Sequence, residues 1–100
     1  MNLSSKQRRF LRAEAHHLKP VVLMGQHGLT DAVLAEIDQA LLIHELIKVR
    51  IPGVERDEKK QITDAICDHC DCQHVQTVGH VATLYRPHPE KPQLVIPRAG

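Results

Sequence analysis

Two stretches of this chain carry residue types at spacings that could do chemistry. Cys67-Asp68-His69-Cys70-Asp71-Cys72-Gln73-His74 packs three thiols and two imidazoles into one short run. Cys67-x-x-Cys70 with Cys72 and His74 is a donor set soft enough for zinc. Gly25-Gln26-His27-Gly28 follows the apolar run Val21–Met24 and precedes a helix start at Thr30. Glycines without side chains let a sugar-phosphate backbone come close, and the N–H groups of the following helix favour an anion. A cationic set accompanies the loop. Lys6, Arg8, Arg9, Arg12 and Lys19 precede it, and Lys48 and Arg50 lie two apart further on. Such a set can neutralise phosphates.

Each feature also has a plainer reading. Structural zinc sites usually join ligands from separated segments, and the chain has no second cluster; packed thiols are therefore preferred here to a metal. Cys67 and Cys70, three apart, can share a helix face near Ile66. A Cys-x-x-Cys redox site wants a helix N-terminus, whereas this one falls at a helix end among aspartates that raise thiol pKa. Glycines three apart can serve only a tight turn, and Asp31 at the helix start weakens any pull on phosphate. His27 at the loop tip can donate to a phosphate or simply face water. Glu55, Asp57 and Glu58 can pair with Arg56, Lys59 and Lys60, whereas only Glu14 is near enough in sequence to neutralise residues 6–12. Nothing supports catalysis: there is no phosphate-binding lysine loop, no HExxH, no nucleophile elbow and no evident carboxylate pair. The expectation is a non-enzyme without cofactor or metal.

The elements that must position these residues follow from periodicity. Leu3-Ser4-Ser5 reads as a helix entry with a serine cap, and the helix is expected to run to about Leu18, before Lys19-Pro20. Leu11, Ala15 and Leu18 line its inner face; Arg8, Arg12 and His16 step along another, with Arg9 beside them. Val21–Met24 is short and wholly apolar, which predicts a buried inner strand. Thr30 caps a second helix, with Val33, Leu34, Ile37 and Leu41 inward, ending near His44. Leu46–Ile51 alternates: Ile47, Val49 and Ile51 face one way, Lys48 and Arg50 the other. Asp57 is the expected cap of a third helix carrying Ile62, Ala65 and Ile66 inward. His74–Val78 and Val81–Arg86 read as strands joined by a tight turn at Gly79-His80. The order α-β-α-β-α-β-β predicts an α/β fold with a four-stranded mixed sheet flanked by helices. Residues 1–87 form the domain, and residues 88–100, rich in proline and without periodicity, form a tail in which Leu94-Val95-Ile96 could dock.

The totals bound the rest. An apolar fraction of 42% and a charged fraction of 25% suit one soluble globular domain. Phe10 and Tyr85 are the only aromatics, so the core is aliphatic, and the scarcity argues against binding single-stranded nucleic acid mainly by base stacking. No apolar run is long enough to cross a bilayer, the opening residues are too polar for a secretory signal, and three clustered cysteines suit a reducing compartment. The expectation is a cytoplasmic monomer. The net charge is +1, unevenly spread: residues 1–25 and 46–60 are basic, residues 26–45 and 61–74 acidic. One basic and one acidic face can result. A basic helix can also lie on a membrane, but this one needs its apolar stripe for the core, so no membrane is expected.

Three stretches together carry a resemblance: KQRRFLRAEAHHLKPVVLMGQHGLT, LIKVRI and VQTVGHVATLYR. Over about residues 3–87 the chain resembles the CRM domain (chloroplast RNA splicing and ribosome maturation) in its stand-alone bacterial, YhbY-type form. The resemblance implies a fold like the C-terminal domain of translation initiation factor 3. It also implies RNA as partner, in the shape of large-subunit ribosomal RNA or its precursor particle, with no DNA. The RNA-facing residues would be Lys6, Arg8, Arg9, Arg12, Lys19, Gly25, Gln26, His27, Gly28, Lys48 and Arg50. The chain departs from the family at the end of the third helix. There Asp68-His69-Cys70-Asp71 stands where Glu-Thr-Gly-Ala is expected, so Cys70 or Asp71 must take a left-handed or otherwise strained turn. Its loop carries Gln26-His27 where the most basic members have lysine. The alternative is a protein-interaction adaptor that docks through the acidic second helix, residues 31–45.

Overall fold

A computed structural model describes residues 2–98; Met1 and the last two residues of the expected tail lie outside the described residues. Helix α1 (Ser5–Ala15) opens with a capping box. The Gln7 N–H donates to Ser4 Oγ at 3.1 Å, and the Ser4 N–H donates to Gln7 Oε1 at 3.0 Å. The helix stops at Ala15, short of the expected Leu18, although the Leu18 N–H still bonds the Ala15 carbonyl. Lys19 precedes a proline, which disfavours a further helical turn.

Strand β1 (Val22–Leu23) leads through the glycine loop into α2 (Asp31–His44), and β2 (Leu46–Arg50) follows directly. Helix α3 (Arg56–Cys70), β3 (Gln73–Val78) and β4 (Val81–Tyr85) complete the expected order. Thr30 caps α2 through its Oγ1. At α3 the N-cap position is Glu55, without a side-chain bond. Asp57 sits inside the first turn, where it complements the helix dipole instead of capping.

The sheet order is β1-β2-β4-β3, with β1 parallel to β2 and the other pairs antiparallel. β1 is therefore an edge strand, not the inner strand its apolar run suggests. Val22 and Met24 are buried, while Leu23 is 68% exposed and Val21 47%. Strand alternation divides the rest. Ile47, Val49 and Leu84 join Val22, Met24, Ile37, Leu41 and Ile66 in a core beneath α2 and α3. Leu46, Val75 and Tyr85 meet Leu11 and Ala15 of α1 on the opposite face. The result is three layers, with α1 on one face of the sheet and α2 and α3 on the other.

The segment after β4 has no regular structure through Arg98, yet it is tied to the domain. Leu94 and Ile96 pack into the α1 cluster. Gln7 Nε2 donates to the Pro97 carbonyl at 2.9 Å. Glu45, only 2% exposed, receives the N–H groups of His88, Gln93 and Leu94 on its two carboxylate oxygens at 2.7, 2.8 and 2.9 Å. Its φ of 64° is left-handed, a strained position for a non-glycine residue. Burial pushes its carboxyl up, but the N–H donors and the nearby His88 outweigh this, and the net shift is downward.

A carboxyl held lower in the folded chain than in the unfolded one stabilises fully above the unfolded value of about 4.3, and loses that contribution as pH falls through the folded value. Glu45→Gln is thus expected to lower unfolding free energy at neutral pH by about 1–3 kcal/mol. In urea titrations over a pH series, the gap to wild type should close as the medium becomes acidic enough to protonate Glu45. Limited proteolysis should cut the variant sooner within residues 88–97.

Candidate nucleic-acid interface

The expected RNA-facing residues divide into those free in solvent and those the fold uses. Lys6, Arg9, Arg12 and Lys19 are exposed. Arg8 is not available in the same way. It is half-buried, and its guanidinium donates to the carbonyls of His74 and Val75 at the start of β3. The β3–β4 register slips between His74 and Gln76, and Arg8 satisfies carbonyls at that bulge. Arg8 positions α1 across β3; it does not share the solvent-facing row with Arg12.

Lys48 and Arg50 point to the face that carries α1, because they alternate with Ile47 and Val49 and share parity with Leu46. Helix α1 covers only the end of that face around Leu46, Val75 and Tyr85. Thr83 beside Lys48 is still buried, and the face opens beyond it, toward Leu23, Arg50 and Val78. A cavity of about 220 Å³ there is lined by Leu18, Pro20, Lys48, Gln76, Val78 and Thr83, among others. Arg50 lies further along the same strand, registered with Leu23 of β1 and Val81 of β4. From Leu46 to Arg50 the strand advances about 13 Å.

The glycine loop begins beside Arg50, since the Met24 N–H bonds the Arg50 carbonyl at 2.9 Å. α1 and the loop therefore stand at opposite ends of one sheet face, with Lys48 and Arg50 between them. They are not direct neighbours. Within the loop the Gly28 N–H bonds the Gly25 carbonyl at 3.0 Å, and Gln26 and His27 are exposed at the turn. The two glycines have different reasons to be glycine. Gly28 has φ +73°, which a side chain resists. Gly25 has no positive φ, and a Cβ there would meet nothing within 4 Å, so nothing in the fold requires it.

The ion pairs among the described residues are Lys60–Asp64 at 3.1 Å and Arg86–Asp38 at 2.6 Å. None of the exposed cations of α1, Lys19, Lys48 or Arg50 has an acidic partner among the described residues. The third basic cluster goes elsewhere. Arg56, Lys59 and Lys60 line a groove of about 500 Å³ with His74, Thr77 and Gly79, between α3 and the β3 edge. Lys59 donates to the Gly79 carbonyl, and Lys60 pairs with Asp64 instead of Glu55, Asp57 or Glu58. These bases do not join the Lys48–Arg50 face.

The sequence reading missed the apolar component of that face: Leu23 and, at 66% exposure, Val78. Alternation within Val21–Met24 is invisible because every residue there is apolar.

The soft donors do not converge. Cys70 is buried beneath α2 with its thiol toward the Leu34 carbonyl, Cys72 faces Cys67, and His74 Nε2 bonds Thr77 Oγ1 at 2.7 Å. Among the described residues no group of three or more His, Cys, Asp or Glu is arranged to hold a metal ion, and no helix is long and apolar enough to cross a membrane.

Comparison with known proteins decides the family. The CRS1/YhbY (CRM) domain profile matches residues 3–86. The chain belongs to the CRM domain family. An RNA-binding protein of Haemophilus influenzae is 50% identical over 96 residues, covering 96% of both chains. A probable RNA-binding protein of Pseudomonas aeruginosa is 40% identical, covering 90% of this chain and 86% of its own. The solution structure of a Staphylococcus aureus protein, provisionally described as RNA-binding, superposes with a TM-score of 0.83 at 30% identity, over 96% of this chain and all of that one. CRM family members are thus described by RNA binding and not by a catalysed reaction, and the three-helix, four-stranded mixed α/β fold is theirs as well.

The two glycines give a direct test. Gly28→Ala should cost about 1–2 kcal/mol of stability, the penalty for a side chain in the left-handed region. Gly25→Ala should change stability by no more than about 0.5 kcal/mol. Thermal or urea unfolding of the two variants measures the difference.

Proposed function

We propose that this chain binds structured RNA as a cytoplasmic monomer, and that its target is large-subunit ribosomal RNA within a precursor particle during ribosome assembly. The observation that carries the reading is the open sheet face, where Lys48 and Arg50 link the exposed cations of α1 to a loop whose Gly25 the fold itself does not need. Family membership and the names of the relatives support RNA as the ligand. The face suits phosphate and shape recognition. Its cations lack acidic partners among the described residues, while Leu23 and Val78 offer apolar contact without aromatic platforms.

In this reading Lys6, Arg9, Arg12, Lys19, Lys48 and Arg50 contact phosphates, and the Gly25–Gly28 backbone lets a strand approach beside Arg50. Arg8 acts indirectly, by holding α1. The adaptor reading through α2 is weaker, because Asp38 is already engaged: Arg86 pairs with its carboxylate and also donates to its carbonyl at 3.0 Å.

Binding of a large-subunit ribosomal RNA fragment should fall steeply with salt. Arg50→Glu should weaken it at every RNA sequence and reduce the salt slope by about 1. Arg9→Glu with Arg12→Glu should add to that loss without unfolding the protein, as both side chains are exposed. Gly25→Ala should weaken binding while leaving stability intact. In cells, crosslinking should recover large-subunit precursor RNA with wild type and lose it with the charge reversals. Retention of particle association by those variants, with loss on reversing Asp31 and Glu36, would instead establish the adaptor.

A further inference from the structure

We propose that Cys67 and Cys72 form an oxidisable dithiol site that reacts with a low-molecular-weight disulfide and closes into an intramolecular bridge. The geometry comes from the way α3 ends. Asp71 takes φ 52° and ψ 52°, and the chain turns back so that the Cys72 N–H bonds the Cys67 carbonyl at 3.2 Å. This is the closure of a Schellman-type cap, which brings the first residue after the left-handed one against the helix's last turn. An apolar contact frequently sits there. Here two sulfurs meet, 3.9 Å apart. A disulfide needs roughly 2.05 Å, and Cys67, being only half-buried, has room to rotate about its Cα–Cβ bond.

The pair is asymmetric in a way that orders the reaction. Cys72 is buried, and its thiol donates to the Cys67 sulfur. That hydrogen bond lowers the Cys67 thiol against the opposing effects of burial, Asp64 and Asp68, while it raises Cys72. Cys67 is thus the accessible nucleophile and Cys72 the resolving thiol. Cys67 loses its proton and attacks one sulfur of the small disulfide. A new S–S bond forms, the small S–S bond breaks, and one small thiolate leaves. Cys72 then loses its proton and attacks the Cys67 sulfur, which releases the second small thiolate. The protein dithiol is oxidised by two electrons and the reagent is reduced by two. The two thiol protons end on the two small thiols. The Cys-x-x-Cys spacing visible in the sequence is not the reactive pair, since Cys70 points into the core toward Leu34.

The test uses the folded, full-length protein and the neutral pair hydroxyethyl disulfide and mercaptoethanol, because Asp64 and Asp68 would repel an anionic reagent. After graded equilibration, acid quenching, alkylation and non-reducing peptide mapping, a Cys67–Cys72 bridge with the loss of two hydrogens is expected. Cys70→Ala should keep that bridge. Cys72→Ser should stop at a mixed disulfide on Cys67, which shows the order of attack even if the variant is less stable. A bridge between Cys67 and Cys70, or bridging that occurs only once the protein is unfolded in urea, would overturn the proposal.

Discussion

Glu45 stands where α2 stops and β2 starts, and its buried carboxylate is shared by three N–H groups of the C-terminal segment. Its own carbonyl takes the Arg86 N–H at the end of β4. One residue thereby joins the helix exit, the first strand position beneath α1, the last strand and the tail. A carboxylate out of water is tolerable only when its lone pairs are filled, so the tail must stay in place. The tail in turn holds α1, through Gln7 and Pro97 and through Leu94 and Ile96. A buried negative charge far from α1 in sequence thus helps to hold the basic helix on the sheet, beside its own core packing and Arg8.

That arrangement leaves one end of a sheet face uncovered, around Leu23, Arg50 and Val78. Helix α1 spans β2, β4 and β3 near one end, and nothing among the described residues covers the other. Lys48 can stand there partly sheltered by aliphatic neighbours with its ammonium in reach of solvent. The opposite face has no such gap, because α2 and α3 pack over Ile47, Val49 and Leu84. The charges of that face are presented by strands and flanked by a helix and a loop, which is the arrangement the proposed RNA contact would use. Arg8 illustrates the same economy: a guanidinium spent on two carbonyls at a β-bulge keeps the other arginines of α1 at fixed positions.

The end of α3 shows how local rules and tertiary packing divide the work. A left-handed residue is needed to end the helix, and Asp71 takes it where glycine would be easier. The sulfur contact across that turn is local, set by the cap. The burial of Cys70 is tertiary, set by α2 lying against α3. A spacing count alone pairs Cys67 with Cys70; the backbone turn pairs Cys67 with Cys72.

Periodicity was enough to read the helices and β2 from residues alone, because a helical stripe such as Val33, Leu34, Ile37 and Leu41, or the alternation of Ile47 and Val49 with Lys48 and Arg50, records local geometry. It also showed that Lys48 and Arg50 share a face; the strained turn at Cys70 or Asp71 came instead from the comparison with the family pattern. Strand order, the edge position of β1, the capture of the tail by Glu45 and the anchoring role of Arg8 were decided only by the tertiary structure. Each of these joins residues far apart in the chain, and nothing in a residue's immediate neighbours records which distant backbone groups it will meet.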